Sequence, residues 1–189
     1  MEVSPRVRLA YETSHGAGLG TELWKFHHAV QDGLDGDPSV IDTYSLDIGL
    51  YKKLGLGTGS RVELSDGVRY NDFRDDNVTE EEDVTRFGGL GGFVGLRGWQ
   101  HLGFKCDGYA RMKWAMLFDD EAVDGGDSDY DVVRRQQEIA LGVERCTSIG
   151  SCLASVRLGA EWIGLLEYQD GSEGDVVFSG LVLGLTLAR

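Results

Sequence analysis

Phe104-Lys-Cys-Asp-Gly-Tyr-Ala-Arg-Met-Lys-Trp-Ala-Met-Leu-Phe118 alternates between two kinds of side chain for most of its length. Phe104, Cys106, Gly108, Ala110, Met112, Trp114 and Met116 form one series, and Lys105, Asp107, Tyr109, Arg111 and Lys113 form the other. A β-strand points successive side chains to opposite faces, so a period of two separates these series cleanly. A helix would mix them, because at about 3.6 residues per turn Lys105 and Met112 share a face.

The same alternation recurs along the chain. Val7, Leu9 and Tyr11 alternate with Arg6, Arg8 and Glu12; Leu19, Thr21 and Leu23 oppose Glu22, Trp24 and Phe26. Tyr44 to Leu50 and Val62 to Tyr70 repeat it, with Ser45 and Asp47, then Arg61, Glu63 and Arg69, on the other face. Leu90, Val94 and Leu96 oppose Gly91, Gly95 and Arg97; Ile139, Leu141 and Val143 oppose Glu138 and Glu144. Val156, Leu158 and Trp162 oppose Arg157 and Glu161, and Leu181 to Leu187 oppose Gly180, Gly184 and Thr186. This predicts nine strands in one domain over residues 1–189, an all-β chain with 28 Gly and only 2 Pro. No apolar run approaches the roughly 20 residues a spanning helix requires, so a membrane-spanning form must be a barrel.

The charge of −14 argues against nucleic acid as a partner, since that requires a basic surface. Its distribution says more. Residues Ala29–Ser39, Asn71–Thr85, Asp119–Asp131 and Glu167–Asp175 hold 21 of the 32 acidic residues and one basic residue, Arg74. Between them lie short connections near Ser14–Gly18, Lys52–Gly59, Gly98–His101 and Cys146–Ser151. Alternation of short turns with long loops marks an antiparallel, up-and-down transmembrane β-barrel. The first strand then starts on the long-loop side. A periplasmic N-terminus requires one more strand, so we expect ten in the full protein; the alternative is nine strands closed by one parallel pair. Met1 leads directly into strand-like sequence with no signal peptide, so the chain reads as a mature or trimmed form.

Alternation alone leaves open which face is enclosed, because a soluble barrel around an apolar ligand alternates too. Three features favour apolar side chains outside. The polar series carries both signs of charge, which can pair across a lumen: Arg8, Glu22, Asp47, Arg61, Glu63, Arg69, Arg97, Lys105, Asp107, Arg111, Lys113, Glu138, Glu144, Arg157 and Glu161. Tyr51, Tyr70, Trp99 and Trp162 lie near strand ends, where interfacial girdles form. The loop asymmetry is the third. Asp66 fits badly, in mid-strand on the apolar face; a β-bulge at Asp66–Gly67 or a position near the membrane interface would account for it.

Ser4-Pro-Arg-Val-Arg-Leu, Gly18-Leu-Gly-Thr-Glu-Leu-Trp-Lys-Phe, Leu64-Ser-Asp-Gly-Val-Arg-Tyr, Gly91-Gly-Phe-Val-Gly-Leu-Arg, Leu141-Gly-Val-Glu and Ser155-Val-Arg-Leu-Gly-Ala-Glu-Trp resemble barrel strands of the Legionella-type major outer-membrane proteins, and most of all the related barrels of planctomycetes. The resemblance spans nearly the whole chain but rests on short, Gly-rich patterns. It implies a Gram-negative outer-membrane barrel of porin-like type and carries over no catalytic residue. The chain departs from the pattern at Asp66, where Gly is expected, and at Leu185-Thr-Leu-Ala-Arg189, which lacks a terminal aromatic.

The sequence therefore predicts an outer-membrane barrel with a charged lumen in a structural or small-pore role. Its partners are outer-membrane lipid and, if it conducts, small solutes or ions. Barrels of about eight strands have interiors just filled by side chains, so a plugged lumen is favoured over an open one. The alternatives are a soluble or periplasmic barrel that binds an apolar ligand and, more remotely, a lipid-modifying outer-membrane enzyme using His27 or His28. No nucleophile with an orienting base is legible, so no catalytic residue is assigned. Asp127-Ser-Asp-Tyr-Asp131 with Glu138 imitates a calcium loop but has Val132 where Gly is required. The four His and three Cys share no zinc spacing, so no metal or other cofactor is expected. Cys146 and Cys152 flank a short turn and are a candidate disulfide if the register allows it.

Overall fold

In a computed structural model the chain is described over residues 3–31, 38–77, 84–103, 106–120, 131–167 and 176–189. The centres of the four acidic connections, and with them Asp127, lie outside the described residues. So do Phe104 and Lys105. The alternating segments form nine strands: β1 (Val3–Glu12), β2 (Ala17–Gln31), β3 (Pro38–Gly55), β4 (Ser60–Asn77), β5 (Val84–Gly103), β6 (Cys106–Asp120), β7 (Asp131–Ile149), β8 (Cys152–Glu167) and β9 (Val176–Ala188).

Each strand pairs antiparallel with its chain neighbour, and β1 then pairs in parallel with β9, from Val3↔Leu181 to Ala10↔Ala188. Nine is an odd number, so strands one and nine run the same way and closure must use one parallel pair. The expected tenth strand is not needed for closure; the parallel alternative is the one observed. Closure leaves no exposed hydrogen-bonding edge among these strands.

The strands are longer than the alternation suggested. β2 and β3 stay in register from Ala17↔Lys52 to Gln31↔Pro38, and β3 and β4 from Ser39↔Asn77 to Gly55↔Arg61. Pairing therefore continues into the outer parts of the acidic segments. The connection read at Gly98–His101 is strand instead: Gln100 pairs with Gly108 and His101 with Asp107, and the chain reverses after Gly103. Gly16, Gly57, Gly59, Gly103 and Gly150 all take positive φ at this short-turn end, where a Cβ would be strained.

The faces are sorted as the charge pattern predicted. Met112, Val156 and Leu183 are 58 %, 53 % and 47 % exposed, whereas Glu63 and Arg157 are 2 % and 3 % exposed. Apolar side chains clothe the outside and ionic ones fill the inside. Two of the four proposed girdle aromatics break the expectation: Tyr51 and Trp99 are buried on the inner face, set there by the parity they share with Asp47 and Arg97. Tyr70 points outward and packs against Tyr44 in a tilted arrangement, 5.9 Å between centroids. No bulge occurs at Asp66. It pairs in register with Leu50 and Val94, so its carboxylate stands on the exterior between Leu64 and Val68.

Candidate functional site

The interior is the place where this sequence concentrates chemistry, and it has three levels. In the middle lies an ion-pair network. Arg6, Arg8, Glu22, Asp47, Glu63, Arg69, Arg97, Arg111, Lys113, Glu138, Arg157 and Glu161 are all buried, although they come from eight different strands. The strand period places each of them inward, and inward glycines make room for the longer ones. A Cβ on Gly184 would lie 3.0 Å from Arg157 Nε.

Glu22 is the hub. Its carboxylate receives Arg6 at 3.2 Å, Arg111 and Lys113 at 3.1 Å, Arg97 at 3.3 Å and Arg157 at 3.8 Å. Glu138 takes Arg6 and Arg111 at 3.0 Å and Arg69 at 2.5 Å. Arg69 also makes a forked pair with Asp47, at 2.6 and 2.8 Å, and Asp47 receives Lys113 at 2.5 Å. Glu161 is held by Arg6 and Arg111. Buried charges require such partners, since an isolated one is costly to desolvate.

Towards the long-loop end an apolar cluster enters the inner face, beside the buried polar side chains of Thr43, Asn71, Arg134 and Gln136. Trp24, Phe26, Phe73, Ile163, Leu165 and Phe178 form a buried cluster, with Phe26 and Phe178 at 4.8 Å between ring centroids. These residues continue the parity of Glu22, Arg69 and Glu161. Trp24 Nε1 donates to Ser4 Oγ, and Arg6 lies over the Trp24 ring at 5.2 Å, which joins this plug to the ionic layer. Towards the short-turn end the interior widens into a cup of about 460 Å³.

Most residues predicted to face the lumen are enclosed there. Arg61 and Asp107 face inward but sit at the mouth, half-exposed and mostly buried respectively, 2.9 Å apart, with His101 Nδ1 2.9 Å from the same Asp107. Glu144 accepts from Trp99 Nε1 at 2.5 Å. Lys105 lies outside the described residues. Glu138, the last position of the imitation calcium loop, is committed to three cations in the lumen. Arg6 was missed as a lumen residue, though it lies on the correct face beside Arg8. The apolar plug was missed as well; extending the Glu22–Trp24–Phe26 parity inward was the signal that could have found it.

The candidate disulfide is not formed: Cys106, Cys146 and Cys152 are free. Register gives the reason. Cys146 pairs with Ser155 and Cys152 with Ile149, so the two thiols belong to different pairs on opposite faces of the hairpin. His27 stands on the exposed side of β2, 3.9 Å from Asp42, and no metal cluster occurs among the described residues. No family model matches the chain, and neither does any curated protein or solved structure.

Proposed function

We propose that the chain is a bacterial outer-membrane β-barrel in a structural, non-enzymatic role, with a lumen that is closed rather than conducting. The observation that carries this reading is the inverted distribution of side chains, with the ionic residues enclosed and the apolar ones exposed around the whole circumference. In water such an exterior is a large continuous apolar surface, far beyond the few hundred Å² a soluble monomer tolerates. Against hydrocarbon it is the stable arrangement.

The height of the band fits. On β3 the outward series passes from Asp42 to Lys52 through Tyr44, Leu46, Ile48 and Leu50 only. Ten residues at about 3.3 Å each, tilted by about 40°, rise about 25 Å, the usual height of an outer-membrane apolar band. On β7 the same interval separates Arg135 from Arg145, with Gln137, Ile139, Leu141 and Val143 between.

The closed role rests on the apolar plug and the ion network, which occupy two of the three interior levels. Outer-membrane lipid is the partner this exterior fits. The likeness of the strands to Legionella-type and planctomycete barrels supports the same assignment. An apolar-ligand carrier is disfavoured by an interior whose centre is salt-bridged. Fractionation tests the proposal. The protein is expected to stay with membranes through high-salt and alkaline washes and to need detergent for release. Recovery as a clear monomer from aqueous buffer would overturn it.

A further inference from the structure

The cup at the short-turn end is more than the open side of a plugged barrel. Its floor is formed by Arg8, Glu63 and Arg97, its wall by Tyr51, Trp99 and Ser155, and it is about 460 Å³ in volume, within the range of small-molecule sites. The other end of the lumen is sealed by the cluster around Phe26 and Phe178. A solute entering from the short-turn side therefore meets a dead end.

The charge on that floor is unbalanced at one place. Each carboxylate around the cup already has a close partner: Glu63 has Arg8 at 2.7 Å, Glu144 has the Trp99 indole, and Glu12 has Lys53. Arg97 is the buried cation lining the cup that is left short. It reaches Glu22 at 3.3 Å and Glu63 at 3.9 Å, and both of those carboxylates are held more closely by other cations. Its charged neighbours include Arg8 and Arg157 as well. Arg97 Nε has no hydrogen-bond partner within the protein, and neither does Ser155 Oγ, although these residues are only 6 % and 3 % exposed.

Aromatic rings fix the guanidinium groups in place. Arg97 and Arg61 lie over Trp99 at 5.6 and 4.9 Å, and Arg8 over Tyr51 at 4.8 Å. A guanidinium held over an aromatic ring still has N–H groups to offer, the donors that bind carboxylate and phosphate. Glu63 Oε2 is also unpartnered and buried at the floor. It would accept from a hydroxyl or amine on the same ligand.

We propose that the cup binds a small solute bearing a phosphate or carboxylate, seated on Arg97 Nε and Ser155 Oγ, with a hydrogen-bond donor of the solute facing Glu63. The site does not depend on where the barrel resides, so its failure would leave the membrane proposal standing, and the reverse holds too.

Calorimetric titration of the detergent-purified full chain with glycerol 3-phosphate tests it. Saturable binding is expected, weakening as ionic strength rises, with none for glycerol or ethanolamine. Arg97→Gln is expected to weaken binding by about tenfold or more, and Ser155→Ala by several-fold to about tenfold, the usual effect of losing a charged or neutral hydrogen bond. Ser155→Ala removes one hydroxyl, so it keeps the test decisive if Arg97→Gln fails to fold. Displacement of glycerol 3-phosphate by phosphatidylglycerol in mixed micelles would assign the anion to a lipid headgroup, and lack of displacement to a free solute. Absence of saturable binding overturns the proposal. So does ethanolamine binding as well as the anion, or affinity unchanged in both variants.

Discussion

Among the described residues, Glu22 gathers the most ion pairs in the interior. Five cations converge on its carboxylate. Glu22→Gln keeps the size and removes the charge, leaving those cations buried with the remaining acids. Breaking a buried pair by deleting one partner costs about 3–5 kcal/mol. We expect a loss of that order in denaturant unfolding from micelles, with the same barrel still forming at low denaturant. Asp66 is the converse case, a carboxylate on the outer face among Leu50, Leu64, Val68 and Val94. A charge facing lipid is unfavourable, by less for Asp than the roughly 2–4 kcal/mol seen for Arg or Lys at mid-bilayer. Asp66→Leu is therefore expected to raise stability in lipid vesicles by about 1 kcal/mol. A loss of stability instead would show that Asp66 has a partner in the membrane.

At the scale of the strand pair, two glycine contacts shape the wall. Gly49 pairs with Gly67 between β3 and β4, and Gly142 with Gly159 between β7 and β8. A Cβ on Gly67 would lie 2.5 Å from Gly49 Cα, and one on Gly142 2.6 Å from Gly159 Cα. Backbone meets backbone there, so no side-chain movement relieves the clash, and a sharply curved sheet needs such places. Gly67→Ala and Gly142→Ala are expected to lower the yield of heat-modifiable, folded barrel strongly on denaturing gels. Gly20→Ala, whose Cβ would have its nearest contact at 3.5 Å, is expected to fold as the parent does. Equal yields for all three would refute the close-approach account. Strand lengths and turn positions were only partly legible at this scale. The pattern at β5–β6 loses contrast where Gly98 and Gly108 stand in the outward series, so the sequence suggests a turn at Gly98–His101 within what is paired strand.

For the whole molecule, the expected electrical behaviour follows from two barriers in series, the ionic layer and the apolar cluster. Planar bilayers containing the protein are expected to show no resolved conductance steps. Trp24→Ala combined with Phe26→Ala and Phe178→Ala should still show none, because the network around Glu22 and Glu138 remains. Steps in the parent would defeat the closed reading. Period-two alternation by itself determined the strands, their two faces and the composition of each face, since the parity of a strand is a local property of the backbone. Inward placement of Arg8, Glu22 and Arg157 was legible in the same way, from charge on one parity. Tertiary structure alone decided the parallel closure of β1 on β9, because pairing of the chain's two end strands is a non-local contact that no neighbouring residue encodes. It alone separated Cys146 from Cys152, through register across a hairpin. It also decided which cations go short of an anion: Arg97 and Arg157 look alike in sequence, and only the geometry around one shared carboxylate distinguishes them from Arg6 and Arg111.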